Sequence, residues 1–401
     1  MPITITTQFD SGNIDVLDAN DPSNVRLRVR PDANSDYLQW FHFNASDLSG
    51  KRCTFVIENA HLTTYPKGWE NYHVVCSADR QNWIRATSTY DGQSLRWTVE
   101  TDNDQMWFAY FAPYSMEQHA DLISAAATAK AVEHRVLGLT AQGRAIDYLQ
   151  VRELSESQTS GSHPAASDQP RTTPNSEKAQ LWLIARQHPG ESMAEWFMEG
   201  FIDRLLDEDD ATSFALRKCA DVHLVPNMNS DGSFMGHLRT NSKGVNLNRE
   251  WASPSIENSP EVYHVLQRMD ETGITVALDV HGDEALPYNF IAGTEGVASW
   301  NAERNQQLIN VKHTWSSINP DFQDVHGYPI NKPGAANMAI CSNQLAERFR
   351  CLAMTLEMPF KDTADTPRHL AGWSPERSMR LGASFVDIAY LTINDRCLEK
   401  A

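Results

Sequence analysis

No stretch of this 401-residue chain stays apolar for the ~18 residues needed to cross a bilayer, so a membrane span is not expected. The opening residues from Met1 to Thr7 carry neither the basic nor the apolar region of a secretory signal, and a cytoplasmic protein is expected. Positive charge is scarce: 34 basic residues face 52 acidic ones, a formal charge of −18. That balance argues against nucleic acid or an anionic membrane as partner, since both reward a basic surface. It leaves room for a small basic pocket. Cysteine is thin as well. The six (Cys53, Cys76, Cys219, Cys341, Cys351 and Cys397) are scattered with no C-x-x-C pair, so neither a thiolate zinc site nor a disulfide framework is expected. No internal repeat is visible.

What is present fits a soluble globular chain: 41% hydrophobic and 21% charged residues, over a length that exceeds one ordinary core and points to two domains. The first ~115 residues read as short strands. Apolar alternating runs at 25–29, 53–57, 73–76 and 95–99 are separated by Asp, Asn, Ser, Gly or Pro clusters, as in an antiparallel sandwich. Five tryptophans fall there: Trp40, Trp69, Trp83, Trp97 and Trp107. They are read as core rather than as a carbohydrate platform.

The pattern changes at Met116. A helix is expected over 117–133, then a hairpin from 136–139 and 146–151 about Gln142 and Gly143. The stretch 155–178, dominated by Ser, Thr, Pro, Gln and charge, reads as an exposed insertion loop inside the second domain. Beyond it strands (181–185, 222–225, 274–278, 351–355) alternate with helices (192–206, 261–271, 374–391). The expected fold class is therefore α/β. A mixed, mostly parallel central sheet carries helices on both faces, preceded by the β-sandwich, with domains over 1–115 and 116–401.

Four segments carry chemistry. His188 and Glu191, spaced i and i+3 in a turn after the first of those strands, can point to one side and suit Zn²⁺. His281 sits where another strand runs out, and parallel sheets build their sites at strand carboxyl ends. Two histidines and a carboxylate leave one position for water, which is a catalytic zinc arrangement. Strand period two puts Asp279 on the face of His281. Arg239, Asn248 and Arg249 lie in one short run and suit an anionic ligand, the guanidinium fork matching a carboxylate. Glu357 closes an apolar strand, where a carboxylate wants a partner or a task.

In this order the segments resemble the zinc metallocarboxypeptidases, and among them the cytosolic carboxypeptidase branch, whose bacterial members carry a β-sandwich in front. The matching residues run from His188-Pro-Gly-Glu191 through Asn229, Asn246-Leu-Asn248-Arg249 and Asp279-Val-His281-Gly to Thr355-Leu-Glu357. The resemblance implies one Zn²⁺ per chain held by His188, Glu191 and His281, with Glu357 as general base. It implies that Arg239 polarises the scissile carbonyl, and that Asn248 and Arg249 grip the terminal carboxylate of a peptide or protein substrate. Two departures stand out. Many relatives have Asp where this chain has Asn246, which removes a carboxylate behind a zinc-bound histidine. The basic segment by which deglutamylating members receive an acidic side chain has only Gly334-Ala-Ala-Asn337 as its nearest match, with Arg348, Arg350 and Lys332 as substitutes to be weighed. Tyr328 is the candidate for a substrate-capping tyrosine. The alternatives are a zinc amidohydrolase acting on N-acyl amino acids, and a non-catalytic binding protein, which would have no use for Glu357. Self-association is left open.

Overall fold

Residues 2–153 and 178–398 are described by the structure, a computed structural model. The insertion expected over 155–178 lies outside them but for its last residue. Ten strands come first: β1 (Thr4–Thr6), β2 (Asp15–Asp18), β3 (Val25–Arg28), β4 (His42–Ser46), β5 (Lys51–Ile57), β6 (Val74–Ser77), β7 (Ile84–Ala86), β8 (Ser88–Tyr90), β9 (Leu95–Thr101) and β10 (Gln105–Ala109). They form two five-stranded sheets, ordered β1-β4-β10-β6-β7 and β2-β3-β5-β9-β8, antiparallel throughout except where β3 runs parallel to β5. Val25, Leu27, Cys53, Phe55, Leu95 and Trp97 alternate inward along their strands and are buried. Trp40, Trp69, Trp83 and Trp97 are buried too and fill the core as read from the sequence, while Trp107 is half-buried and packs against it.

Helix α1 (Met116–Ala127) opens on a capping box, Ser115 accepting from the Gln118 amide. It ends before the expected residue 133, because Val132 and Glu133 already pair with Val151 and Gln150 as the start of β11 (Val132–Leu139) beside β12 (Ala145–Val151). Then follow β13 (Ala179–Ala185), α2 (Met193–Leu205), α3 (Ala211–Cys219), β14 (Ala220–Val225), α4 (Ser230–Met235), α5 (Pro260–Thr272), β15 (Val276–Asp283), β16 (Phe290–Ala292), α6 (Ala302–Ile318), α7 (Cys341–Phe349), β17 (Leu352–Pro359) and α8 (Pro375–Leu398).

The large sheet has seven strands in the order β11-β12-β14-β13-β15-β17-β16, with the four central strands parallel and the flanks antiparallel. Alternation decides its two faces. Leu181 and Leu183 pack in one core with Phe197, Phe201, Leu216, Trp315 and Phe385 from α2, α3, α6 and α8. Trp182 and Ile184 pack in the other with Val262, Val265 and Leu345 from α5 and α7. Helices α2 and α8 approach so closely that a Cβ on Gly200 would stand 2.0 Å from the Met379 carbonyl oxygen.

The first core does not stop at the sheet. It runs on into the N-terminal sheets, with Tyr110 stacked on Phe360 at 4.4 Å. Arg85, from β7, donates to the carbonyls of His73 and Trp373. None of Cys53, Cys76, Cys219, Cys341 and Cys351 is in a disulfide.

Candidate metal centre

His188 and Glu191 lie in the turn between β13 and α2. Two residues earlier Arg186 is fully buried and holds a left-handed backbone, φ 58°. For a non-glycine residue that costs about 1–2 kcal/mol. Hydrogen bonds from its guanidinium to the Pro189 carbonyl (3.0 Å), the Tyr114 carbonyl (2.8 Å) and Glu195 Oε2 (2.7 Å) hold it there. Glu195 also meets the buried His119, whose other nitrogen lies 3.2 Å from Asp147. The result is a rigid bend that presents His188 and Glu191 toward the carboxyl end of β15.

There they meet His281. The two imidazole Nδ1 atoms lie 3.2 Å apart, and each is 2.7 Å from an oxygen of Glu191. Zn–N bonds of 2.0–2.1 Å at a tetrahedral angle place two ligand nitrogens about 3.3 Å apart, so this donor set fits Zn²⁺. All three side chains are buried. Each ring is steered from behind. His188 Nε2 lies 3.1 Å from Asn246 Oδ1, and His281 Nε2 lies 3.0 Å from Asp279 Oδ2. Asp279 is gripped by both hydrogens' worth of the Gln187 amide, at 2.8 and 2.7 Å, and Gln187 accepts in turn from Trp251 Nε1. The neutral Asn246 therefore orients its histidine without charge, while the carboxylate support falls on His281.

The charges follow from this packing. Burial pulls the His188 pKa down to about 4, helped by the neighbouring Arg239, so the ring is neutral and offers a lone pair. Burial opposes a proton on His281 too, but Asp279 and Glu191 outweigh it and raise its pKa well above the ordinary value. Burial would raise Glu191; the two histidines overcome it and hold this carboxylate below the usual range. Glu357 sits on β17 as the register partner of His281. Burial raises its pKa, His281 lowers it, and the charges of Glu191, Asp283 and Glu284 help to keep it well above the carboxylate range.

All seven residues singled out from the sequence (His188, Glu191, Arg239, Asn248, Arg249, His281 and Glu357) line one cavity of about 590 Å³. Within it Glu357 Oε2 and Arg239 Nε are buried with no hydrogen-bond partner among the described residues. Neither Arg239 nor Arg249 is in an ion pair among the described residues, and the Arg249 pKa is lowered by burial first and by the Arg239 charge second. Both guanidiniums line the cavity, and Glu284 and Glu191 act on Arg239 through their charge without forming an ion pair with it. Asn248 commits its Oδ1 to the Cys341 amide, at 2.8 Å, and its NH₂ lies 3.3 Å from His281 Nε2, which leaves the second hydrogen of that amide as a donor. Tyr328 lines the cavity and donates to Asp283 Oδ2.

The basic residues weighed for the side-chain pocket are not on its wall. Arg348 pairs with Asp270, Arg350 with Glu347, and Lys332 is exposed. Lys312, from α6, and Glu295 are on it. Sequence reasoning also passed over Gln187, which nothing but its place between a strand end and a ligand marks, and Tyr65, which reaches the cavity from the N-terminal sheets.

A two-histidine, one-carboxylate centre at the carboxyl edge of an α/β sheet, with a buried glutamate beside it, fits a zinc-dependent hydrolase. The comparisons agree. A family model described as zinc carboxypeptidase matches residues 118–326, and one described as the cytosolic carboxypeptidase N-terminal domain matches 5–111. The chain belongs to the zinc carboxypeptidase family, in its cytosolic carboxypeptidase branch, and is a metallocarboxypeptidase. A metallo-carboxypeptidase from Pseudomonas aeruginosa, solved in complex with (2-guanidinoethylmercapto)succinic acid, is 41% identical and superimposes with a TM-score of 0.91, covering 98% of this chain and 99% of that one. For a metallo-carboxypeptidase from Burkholderia cenocepacia the values are 39%, 0.90, 98% and 100%. Cytosolic carboxypeptidase 6 of Caenorhabditis elegans is 26% identical over 89% of this chain and 79% of its own length. No helix among the described residues is long and apolar enough to cross a membrane.

Proposed function

We propose that the protein hydrolyses the last peptide bond of a peptide or protein and releases its C-terminal residue. The observation that carries this reading is the pair Arg239 and Arg249, which are in no ion pair among the described residues and share one cavity with His188, Glu191, His281 and Glu357. A clamp for a free carboxylate is of use to an exopeptidase and of none to an endopeptidase. His188, Glu191 and His281 hold one Zn²⁺ per chain in this reading. The ion supplies a Lewis acid that polarises a carbonyl and lowers the pKa of a bound water to ~7.

The protein's own groups do the rest. Arg249 and the Asn248 NH₂ bind the terminal carboxylate and set the register of the chain. Arg239 donates to the scissile carbonyl oxygen as negative charge gathers there. Glu357 Oε2 takes a proton from water as its oxygen bonds to the carbonyl carbon. When the C–N bond breaks, the same oxygen returns that proton to the leaving amine. Burial favours the protonated form of this carboxyl group, which suits the second half of that exchange, while the charge of His281 favours the carboxylate that the first half needs.

We also place the division between two domains at residues 115 and 116. The gap between the two family matches, 5–111 and 118–326, and the change from strands to α1 support this division. Cytoplasmic residence is supported by the name of the branch and by thiols outside any disulfide.

Mass spectrometry of a peptide library varied at its last two residues, after incubation with zinc-loaded protein, tests the reading. Loss of single C-terminal residues is expected. Cleavage of N-acyl amino acids with peptides left intact would instead establish the amidohydrolase alternative.

A further inference from the structure

Arg239 owes its place to the other end of the chain. The segment 32–37 is a closed turn, the Asp32 amide donating to the Tyr37 carbonyl at 2.7 Å. Its Asp32 side chain is buried and accepts from three consecutive backbone amides across the interface: Leu238 (2.6 Å), Arg239 (2.8 Å) and Thr240 (2.9 Å). The Thr240 hydroxyl adds a fourth bond at 3.0 Å. Charge-assisted bonds of this kind are the strong ones, and four on one carboxylate fix a peptide segment in direction as well as place. Next to it, the Ala33 amide donates to His237 Nε2 and the Asn34 NH₂ to the Ser242 carbonyl. The guanidinium of Arg239 then stands over two rings from the same N-terminal region, 5.7 Å from Tyr37 and 5.5 Å from Tyr65. Tyr65 is itself pinned, its amide and carbonyl both bonded to the fully buried Gln39 amide.

We propose that Asp32 is a positioning residue for Arg239, so that the N-terminal sheets complete one wall of the active site rather than merely cover the catalytic half. The anion at position 32 fixes the backbone of 238–240, and Tyr37 and Tyr65 fix the direction of the guanidinium. The kinetic consequence rests on the reading of Arg239 as donor to the scissile carbonyl; the placement of the loop does not.

The full-length protein carrying Asp32→Asn tests this, with Asp32→Ala as a second variant and zinc content as the check on folding. Hydrogen exchange is expected to show the 238–240 amides losing protection in Asp32→Asn while zinc stays stoichiometric. With a free-carboxylate peptide, kcat is expected to fall by about tenfold to 10²-fold at little change in KM, the scale of a misplaced catalytic group. In an Arg239→Ala background the same Asp32 change is expected to cost nothing more. Unchanged protection at 238–240 overturns the proposal, and so does an equal kcat loss from Asp32→Asn with and without Arg239. Wild-type kcat in Arg239→Ala refutes the carbonyl-donor reading instead, and exchange at 238–240 still decides the role of Asp32.

Discussion

Glu357 and His281 stand side by side on neighbouring parallel strands, register partners in β17 and β15, so the sheet itself holds a carboxyl group next to a metal-ligating ring. One oxygen of that carboxyl, Oε2, has no hydrogen-bond partner among the described residues. The strands are buried along their whole length, which denies Glu357 any other way to point its charge into water. This geometry supports the proposal that Glu357 carries the proton.

Replacing Glu357 with Gln keeps the shape and removes the titratable group. Zinc is expected to bind at one per chain, and kcat to fall by about 10²–10⁴, the usual worth of general acid–base catalysis. Metal analysis beside steady-state kinetics checks both halves; near-normal turnover sinks the assignment.

Asp279 is expected to matter for the metal rather than for the peptide. It backs His281 at 3.0 Å and shares the raised pKa of that ring with Glu191. Asp279→Asn should weaken zinc binding by about 10–100-fold. Because His281 keeps its proton in the metal-free protein, zinc uptake at neutral pH should release protons, and affinity should fall as pH falls. Calorimetry in buffers of different ionisation enthalpy reads that number directly. Proton-neutral binding at pH 7 contradicts it.

Arg249 distinguishes a free carboxylate from a blocked one. Arg249→Ala should raise KM for peptides ending in a carboxylate by roughly ten- to a hundred-fold, matching about 1.5–3 kcal/mol for a hydrogen bond to a charged group. Amidated peptides should stay equally poor before and after. An unchanged KM for the free acids dismisses the clamp.

Lys312 lines the cavity from α6 and has no ion-pair partner among the described residues. Lys312→Ala should lower kcat/KM for peptides ending in Glu or Asp by about tenfold relative to those ending in Leu, the scale of one partly exposed charge contact. The ratio of the two rates in a competition assay measures this, and an unchanged ratio removes Lys312 from the side-chain pocket.

His119 ties stability to pH. Burial lowers its pKa, but Glu195 and Asp147 overcome that and raise it from 6.5 to about 9. A group whose folded pKa is raised contributes all of its stability below the unfolded value and loses it as pH climbs through the folded one. The loss should therefore run between pH 6.5 and about 9 and amount to a few kcal/mol. Thermal melts across that window should show Tm falling in the native protein, with a flatter profile in His119→Phe. A Tm that rises with pH over the window, or an identical slope in both proteins, rejects the coupling.

The chemistry of the site was readable because it hangs on strand ends. His188 follows β13, His281 lies in the last turn of β15 and Glu357 near the end of β17, and each breaks an apolar run with a residue that dislikes burial. The strand around His281 was expected to stop at 278, since Asp, His and Gly form poor strands, yet pairing with β17 carries it to Asp283. Helix α6 escaped notice because Leu308, Val311 and Trp315 are nearly all it buries, too few to set a helical period against so polar a sequence. Gln187 and Tyr65 were out of reach for another reason. Their partners, Asp279 and Arg239, lie far along the chain, and only the assembled sheet brings them together.

The stacking of Tyr110 on Phe360 has a bearing on inheritance. Phe360 follows three residues after Glu357, so the strand that carries this glutamate leans on a ring from the opposite half of the molecule. A catalytic half grafted onto a foreign partner would meet no ring at that point and no carboxylate at the Arg239 loop. Exchange of the N-terminal sheets for an unrelated module would therefore remove both supports at once.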